Sequence, residues 1–408
     1  LPWQTPQKIR RAIVPNQYAP KHFLRQAQTA LLQQYFSSQG LLSDIKWADT
    51  PAPDDETIFS AWHSLPEETK SKIERDFRDI YDLASAEGVR TVVEEGQYHK
   101  TNLTTELETC DGFLNKILHV FIKHPRIFEI ACRFDHADSL NGRCWNKRKD
   151  MPKKKPEVSK EALGKFAAAI SEYLQKTQGR GEKCLVDTYY RNRRRNYFFA
   201  YPKDYTDTYI DYDSEGKIER RPYTPAFEIV FVYDSIDGTL DLFAQGDKDV
   251  KQELQRLFTL HILNEKLGEE KLDSAPYKLE ALKHRGFAFP VDAADGINNV
   301  RIREMSLSVI GRPRQRIIFD AGPIGKTTAK DDIYDTMQTA LHESRLPLSM
   351  LKVNSVVIQM QFLNTTGRGR AYKTLTFRVS CPDGCNLKDK DEHIKAKKYL
   401  REWKIESV

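Results

Sequence analysis

The sequence predicts an α+β protein: a helical N-terminal domain followed by antiparallel β-hairpin/helix (ββα) units that form mixed sheet-and-helix layers. Three observations predict it. Apolar residues recur at the helical period through the first 180 or so residues. Beyond that point the period changes to two. From residue 227 onward, strand, strand and helix follow one another three times. The domains read as 1–142, helical; 143–180, a basic linker plus a helix; 181–268, antiparallel β with a closing helix; and 269–408, two ββα units.

The helices come first. KHFLRQAQTALLQQYF (21–36) places Phe23, Leu24, Ala27, Ala30, Leu31 and Tyr35 on one stripe. The stretch 65–88 opens with Pro66 and two glutamates, closes near a glycine, and carries Ile73, Phe77, Ile80, Tyr81 and Leu83 on its apolar face. A third helix spans 105–125, stopped by Pro125, and a short fourth spans 127–134. The segment 143–157 then carries seven basic residues and two prolines against Asp150 and Glu157, which reads as an exposed linker containing Lys147, Arg148 and Lys149. A last N-terminal helix follows over 159–175, with Ser159 as its N-cap.

The strands pair as hairpins: 184–190 with 196–201 around an RNRRR tip, and 208–213 with IERR around SEGK. The recurrent units are 227–234, 239–244 and helix 250–263; 300–309, 316–321 and helix 333–342; and 355–363, 373–380 and helix 393–405. Aspartates lead into each helix, where they cap it and favour its dipole. Residue identity between the units is low, so the repeat is one of pattern.

Totals narrow the class. The chain has 408 residues, 39% hydrophobic and 30% charged, with net charge +6. That composition is globular, with no apolar run long enough for a membrane span. No secretory signal precedes the fold, and Leu1 is not an initiator methionine, so the native start is expected upstream. The six cysteines form no CxxC pair and read as reduced thiols of a cytoplasmic protein.

RIIFDAGPIGKTT (316–328) resembles a phosphate-binding loop only at its end. GxxxxGK[ST] requires glycine where Asp320 stands, and Pro323 removes a backbone donor. The strand before it is the second of an antiparallel hairpin, whereas such loops follow a buried parallel strand. No GxSxG, HExxH or dinucleotide fingerprint occurs, so no cofactor is expected.

The placement of arginines carries the functional reading. Arg191, Arg193, Arg194 and Arg195 cluster at one predicted tip, flanked by Tyr189, Tyr190, Tyr197, Phe198, Phe199 and Tyr201. Arg312, Arg314 and Arg316 sit at a second tip, Arg368 and Arg370 at a third, and Lys147, Arg148 and Lys149 of the linker join them as candidate nucleic-acid contacts. Guanidinium groups there suit phosphate contacts, and the aromatics suit either base stacking or cross-strand packing. Gln359, Gln361, Thr374, Thr376 and Arg378 alternate with apolar residues and leave a polar sheet face, extended by Arg301 and Arg303. The expectation is a non-catalytic nucleic-acid-binding protein, DNA or RNA, working with other subunits in a larger bacterial-type assembly. Genome defence or mobile-element biology is suggested only by the overall look. Two alternatives stand beside it. Asp211, Asp213, Asp234, Asp237 and Asp241 would serve a metal-dependent nuclease, as would Asp135, His136 and Asp138 a metal or base site. The second alternative is a protein-interaction scaffold that presents the basic tips to a partner.

Overall fold

The computed structural model describes residues 18–47, 53–140, 144–191, 194–268, 275–322, 333–343, 346–363, 371–388 and 391–407. The chain divides into two compact units, Leu1–Ser139 and Leu140–Val408. The α+β class holds, with the N-terminal unit helical and the strands of the C-terminal unit antiparallel.

The N-terminal unit contains α1 (Pro20–Gln26), α2 (Thr29–Ser38), α3 (Asp55–His63), α4 (Glu67–Leu83), α5 (Ala86–Tyr98), α6 (Leu103–Glu106), α7 (Gly112–Lys123) and α8 (Pro125–Ser139). The helix expected over 21–36 is broken at Ala27, where ψ is 136°. Asn115 of α7 holds the break open: its Oδ1 accepts from Gln28 N at 2.8 Å and its Nδ2 donates to Gln26 O at 3.1 Å. A tertiary hydrogen bond thus overrides an unbroken apolar stripe. Phe77 of α4 stacks on Phe23 at 4.3 Å and meets Trp62 edge-on at 5.5 Å. Asp76 beside it is buried and accepts from Tyr35 Oη at 2.9 Å.

The C-terminal unit opens with β1 (Trp145–Arg148), α9 (Lys160–Gln178), β2 (Cys184–Arg191), β3 (Arg195–Pro202), β4 (Asp207–Tyr212), β5 (Ile218–Tyr223), β6 (Ile229–Asp234), β7 (Thr239–Phe243) and α10 (Lys248–Ile262). The first sheet has the order β1-β7-β6-β3-β2. Phe166 and Ile170 of α9 and Leu254 and Phe258 of α10 pack on Phe198, Phe231 and Leu242 of this sheet. β4 and β5 form a separate two-stranded arm.

The remainder is β8 (Ile297–Val309), β9 (Arg312–Asp320), α11 (Ile333–Glu343), β10 (Leu351–Leu363), β11 (Tyr372–Ser380), β12 (Gly384–Cys385) and α12 (Asp391–Glu402), giving a second sheet in the order β12-β11-β10-β8-β9. The last two ββα units therefore pair through their first strands, β8 and β10, antiparallel. Met337 of α11 and Tyr399 and Leu400 of α12 share one core with Met305, Val356, Ile358 and Phe377.

The basic linker expected at 143–157 is instead structural. Residues 145–148 are β1, paired with β7, and Lys147 and Arg148 are buried. The segment's strand signal was masked by its charge. That charge is matched inside the unit: Lys147 Nζ lies 2.7 Å from Glu406 Oε1, and Arg148 Nε lies 2.6 Å from Asp150 Oδ1. Lys147 N also donates to Asp383 O at 3.1 Å, so β1 bonds the first sheet to the turn before β12 of the second.

Candidate nucleic-acid interface

Two rival expectations converge on the first arginine hairpin, and the structure sets them against each other. The arginines expected to hold phosphate pair with the aspartates expected to hold metal. Arg194 binds both Asp234 and Asp237. Arg195 Nη1 lies 3.8 Å from Asp241, which also faces Lys147 at 3.8 Å. Arg191 is buried, its Nη1 donating to Tyr197 Oη at 3.4 Å. Arg193 lies outside the described residues. Tyr197, Phe198 and Phe199 are buried, so these rings are packing residues and not a platform for bases.

Asp234 is a turn organiser. Its Oδ1 accepts from Ile236 N at 3.0 Å and Asp237 N at 3.1 Å. Burial pushes its carboxyl up, but these backbone donors and Arg194 outweigh burial and hold it below the ordinary range. Asp211 pairs with Arg221 at 3.1 Å, and Asp213 Oδ1 accepts from Glu215 N and Lys217 N at 2.9 and 2.8 Å in the arm's turn. Asp135, His136 and Asp138 lie on α8, with Asp138 buried. Among the described residues, no group of three or more His, Cys, Asp or Glu is placed to hold a metal ion. Asp234→Ala is expected to lower stability by about 1–3 kcal/mol, because it removes charged hydrogen bonds to Arg194 and to two part-buried backbone donors. The loss should be the same with and without Mg²⁺ in a thermal unfolding series. A Mg²⁺-dependent gain seen in the parent and absent from the variant would restore the metal reading.

Lys147 and Arg148 are internal, as described above. Lys149 is half-buried near Lys147, Arg401 and Glu406. Burial first, then the two neighbouring cations, pushes its ammonium from 10.5 to about 8 against the pull of Glu406. Lys147 and Lys149 reach the C-terminal residues Glu406 and Ser407, whereas Arg148 is held by Asp150, Gln255 and Gly268 O.

The second sheet is different. The face away from α11 and α12 is built in cross-strand rows. One row is Arg316, Ser308 and Lys352; another is Asp320, Glu304, Val357 and Arg378; a third is Arg301, Gln359 and Thr376. Much of the polar surface expected here is spent internally. Gln359 Oε1 accepts from Arg301 at 3.0 Å and its Nε2 donates to Thr376 at 3.2 Å. Arg378 reaches Glu304 at 2.7 Å and Ser355 Oγ at 3.2 Å. Arg303 stands at a bulge, 3.6 Å from Asp320, with its Nε buried and unbonded.

Toward the β8–β9 turn the balance changes. Arg312 and Arg316 on the edge strand and Lys352 on β10 are exposed, and among the described residues none forms an ion pair. Arg316 and Lys352 flank Ser308, two strand spacings or about 10 Å apart. Arg314 lies on β9 between the two arginines, its side chain outside the description. Arg368 and Arg370 lie outside the described residues, as do positions 325–328 of the Gly-Lys-Thr-Thr stretch. Arg316–Asp320 belongs to β9, antiparallel to β8, as its sequence context indicates. Lys352 was missed from sequence because it alternates with the buried Leu351 and Val353 and stands alone in its strand. Compared with known proteins, the chain matches no family model, no curated protein and no solved structure.

Proposed function

We propose that this chain binds nucleic-acid phosphates at the β8–β9 end of its second sheet, with Arg312, Arg316 and Lys352 as the primary contacts. The observation that carries this reading is their exposure without an ion-pair partner among the described residues, on one edge and one cross-strand row. Cations neutralised inside a fold have little left to offer a phosphate; exposed ones release counterions on binding. The role is binding, non-catalytic, within a larger assembly.

The test is a salt-dependent titration against single-stranded DNA, duplex DNA and RNA. The combined variant Arg312→Ala/Arg316→Ala/Lys352→Ala is expected to weaken binding by at least about tenfold at moderate salt and to reduce the log–log salt slope by about 2–3. Arg194→Ala is expected to leave that slope unchanged. Parental affinity and slope in the combined variant would refute the assignment. A protein-interaction role is a second reading, favoured by the exposed apolar surface of the β4–β5 arm.

A further inference from the structure

Lys149 follows β1 directly and enters a network of ionic side chains that is closed without it. Glu406 gives Oε1 to Lys147 at 2.7 Å and Oε2 to Arg401 at 3.4 Å. Asp237 gives Oδ2 to both Arg194 and Arg401. Asp241 stands between Lys147 and Arg195. Asp150, next in the chain, is bound to Arg148. Among the described residues no carboxylate is left within ion-pair distance of Lys149, and its Nζ has one hydrogen-bond partner, Ser407 Oγ at 3.5 Å.

An ammonium group is costly in such a place. Half-burial takes water from the charge, and Lys147 on β1 and Arg401 on α12 repel it. Glu406 and Asp237 pull the other way, but both are already engaged by other cations. A lysine that is desolvated and set beside other cations is an amine that becomes neutral, and so nucleophilic, well below the ordinary lysine range. The lowering of its ammonium to about 8 agrees with that geometry.

The same surroundings select the electrophile. Attack of the amine on an acyl carbonyl puts negative charge on the carbonyl oxygen, in the field of Lys147 and Arg401. The amide that results is neutral, so it is free of the repulsion and desolvation that the ammonium suffers. Methylation keeps the charge and relieves neither.

We infer that Lys149 is an N-acylation site that takes an acyl group from a small acyl thioester. The neutral Nζ, its ammonium proton already given to water, attacks the thioester carbonyl. An N–C bond forms and the C–S bond breaks. The thiolate leaves and takes up the proton that the nitrogen loses, giving amide and thiol. The site shares no residue with the phosphate contacts proposed at the β8–β9 end.

The full chain is treated with the acetyl thioester of N-acetylcysteamine across a pH series from about 6 to about 10, spanning the lysine range. Peptide mass spectrometry reads the acetylation rate of each lysine. Near pH 8 about half of Lys149 is neutral, against about one in 300 for an ordinary lysine. Lower basicity and partial burial take back part of that advantage, so Lys149 is expected to react at least about tenfold faster than the exposed Lys160 and Lys176. Its rate should level off above about pH 8, while theirs keep rising. Arg401→Gln removes a repelling cation and frees oxygens of Glu406 and Asp237, so the levelling should move to higher pH. Thermal unfolding checks that this variant is folded; if it is not, the parent profile decides alone. A parental Lys149 no faster than Lys160 overturns the inference. So does a rate that keeps rising in step with Lys160 and Lys176, or a levelling that a folded Arg401→Gln leaves unmoved.

Discussion

Glu406→Ala is expected to destabilise the C-terminal unit by about 3–5 kcal/mol, the range for removing one partner from a buried ion pair. Glu406 and Lys147 are both buried and 2.7 Å apart, and Arg401 adds a second contact to Glu406 at 3.4 Å. With Glu406 gone, Lys147 keeps, among the described residues, only the carboxylate of Asp241, at 3.8 Å, to offset its desolvation. Lys147→Met combined with Glu406→Leu should recover most of the loss, because an apolar pair of similar volume carries no desolvation cost. Urea unfolding of the parent, the single variants and the double variant measures this. Single variants within about 1 kcal/mol of the parent would mean the pair is not closed in solution.

The same pair sets a pH window. Burial pushes Lys147 down from 10.5, but Asp241 and Glu406 more than reverse it, so its folded value is raised. Its contribution is then complete below 10.5 and is lost as pH climbs through the folded value. Burial pushes Glu406 up from 4.5, but Lys147 and Arg401 outweigh burial and lower it. Its contribution is complete above 4.5 and is lost as pH falls through the folded value. Stability should be flat between these limits and fall outside them in the parent. The Met/Leu double variant should lack both falls that this pair causes.

Phe77→Ala should lower the stability of the N-terminal unit by about 3–5 kcal/mol, the cost of emptying a large aromatic site in a packed core. Phe77 is fully buried, with Phe23, Tyr35 and Trp62 rings at 4.3, 4.9 and 5.5 Å from its own. These rings come from α1, α2 and α3, so one side chain ties three helices to α4. Hydrogen exchange followed by mass spectrometry localises the effect: protection should fall in α1 to α4. A loss under about 1 kcal/mol would mean that the surrounding rings collapse into the space.

The class, the hairpins and the closing helices were legible in residue order, because each depends on neighbours a few positions away. Period two in 355–363 and 373–380 predicted β10 and β11, and their apolar sets do face α11 and α12. α3 and α5 were not read: α3 is short and buries two residues, Ile58 and Trp62, and α5 mixes Thr91, Glu95 and two glycines into its buried face. Ser85 caps α5 through Gly88 N at 2.9 Å, a local signal that a search for caps would have found.

The arginines mark the limit of such reading. Arg194 and Arg312 look alike in sequence, each in a basic cluster beside a hairpin turn. Arg194 meets Asp234 and Asp237, forty and forty-three positions away. Arg312 is exposed on an edge strand. Lys147 looked like linker charge and is the buried half of an ion pair with Glu406, 259 positions distant. Most secondary structure follows from local periodicity and is settled by residue order, although the break at Ala27 and strand β1 are not. Whether a charge is spent inside the fold or left for a partner depends on long-range pairing, and that only the tertiary arrangement of the strands decided.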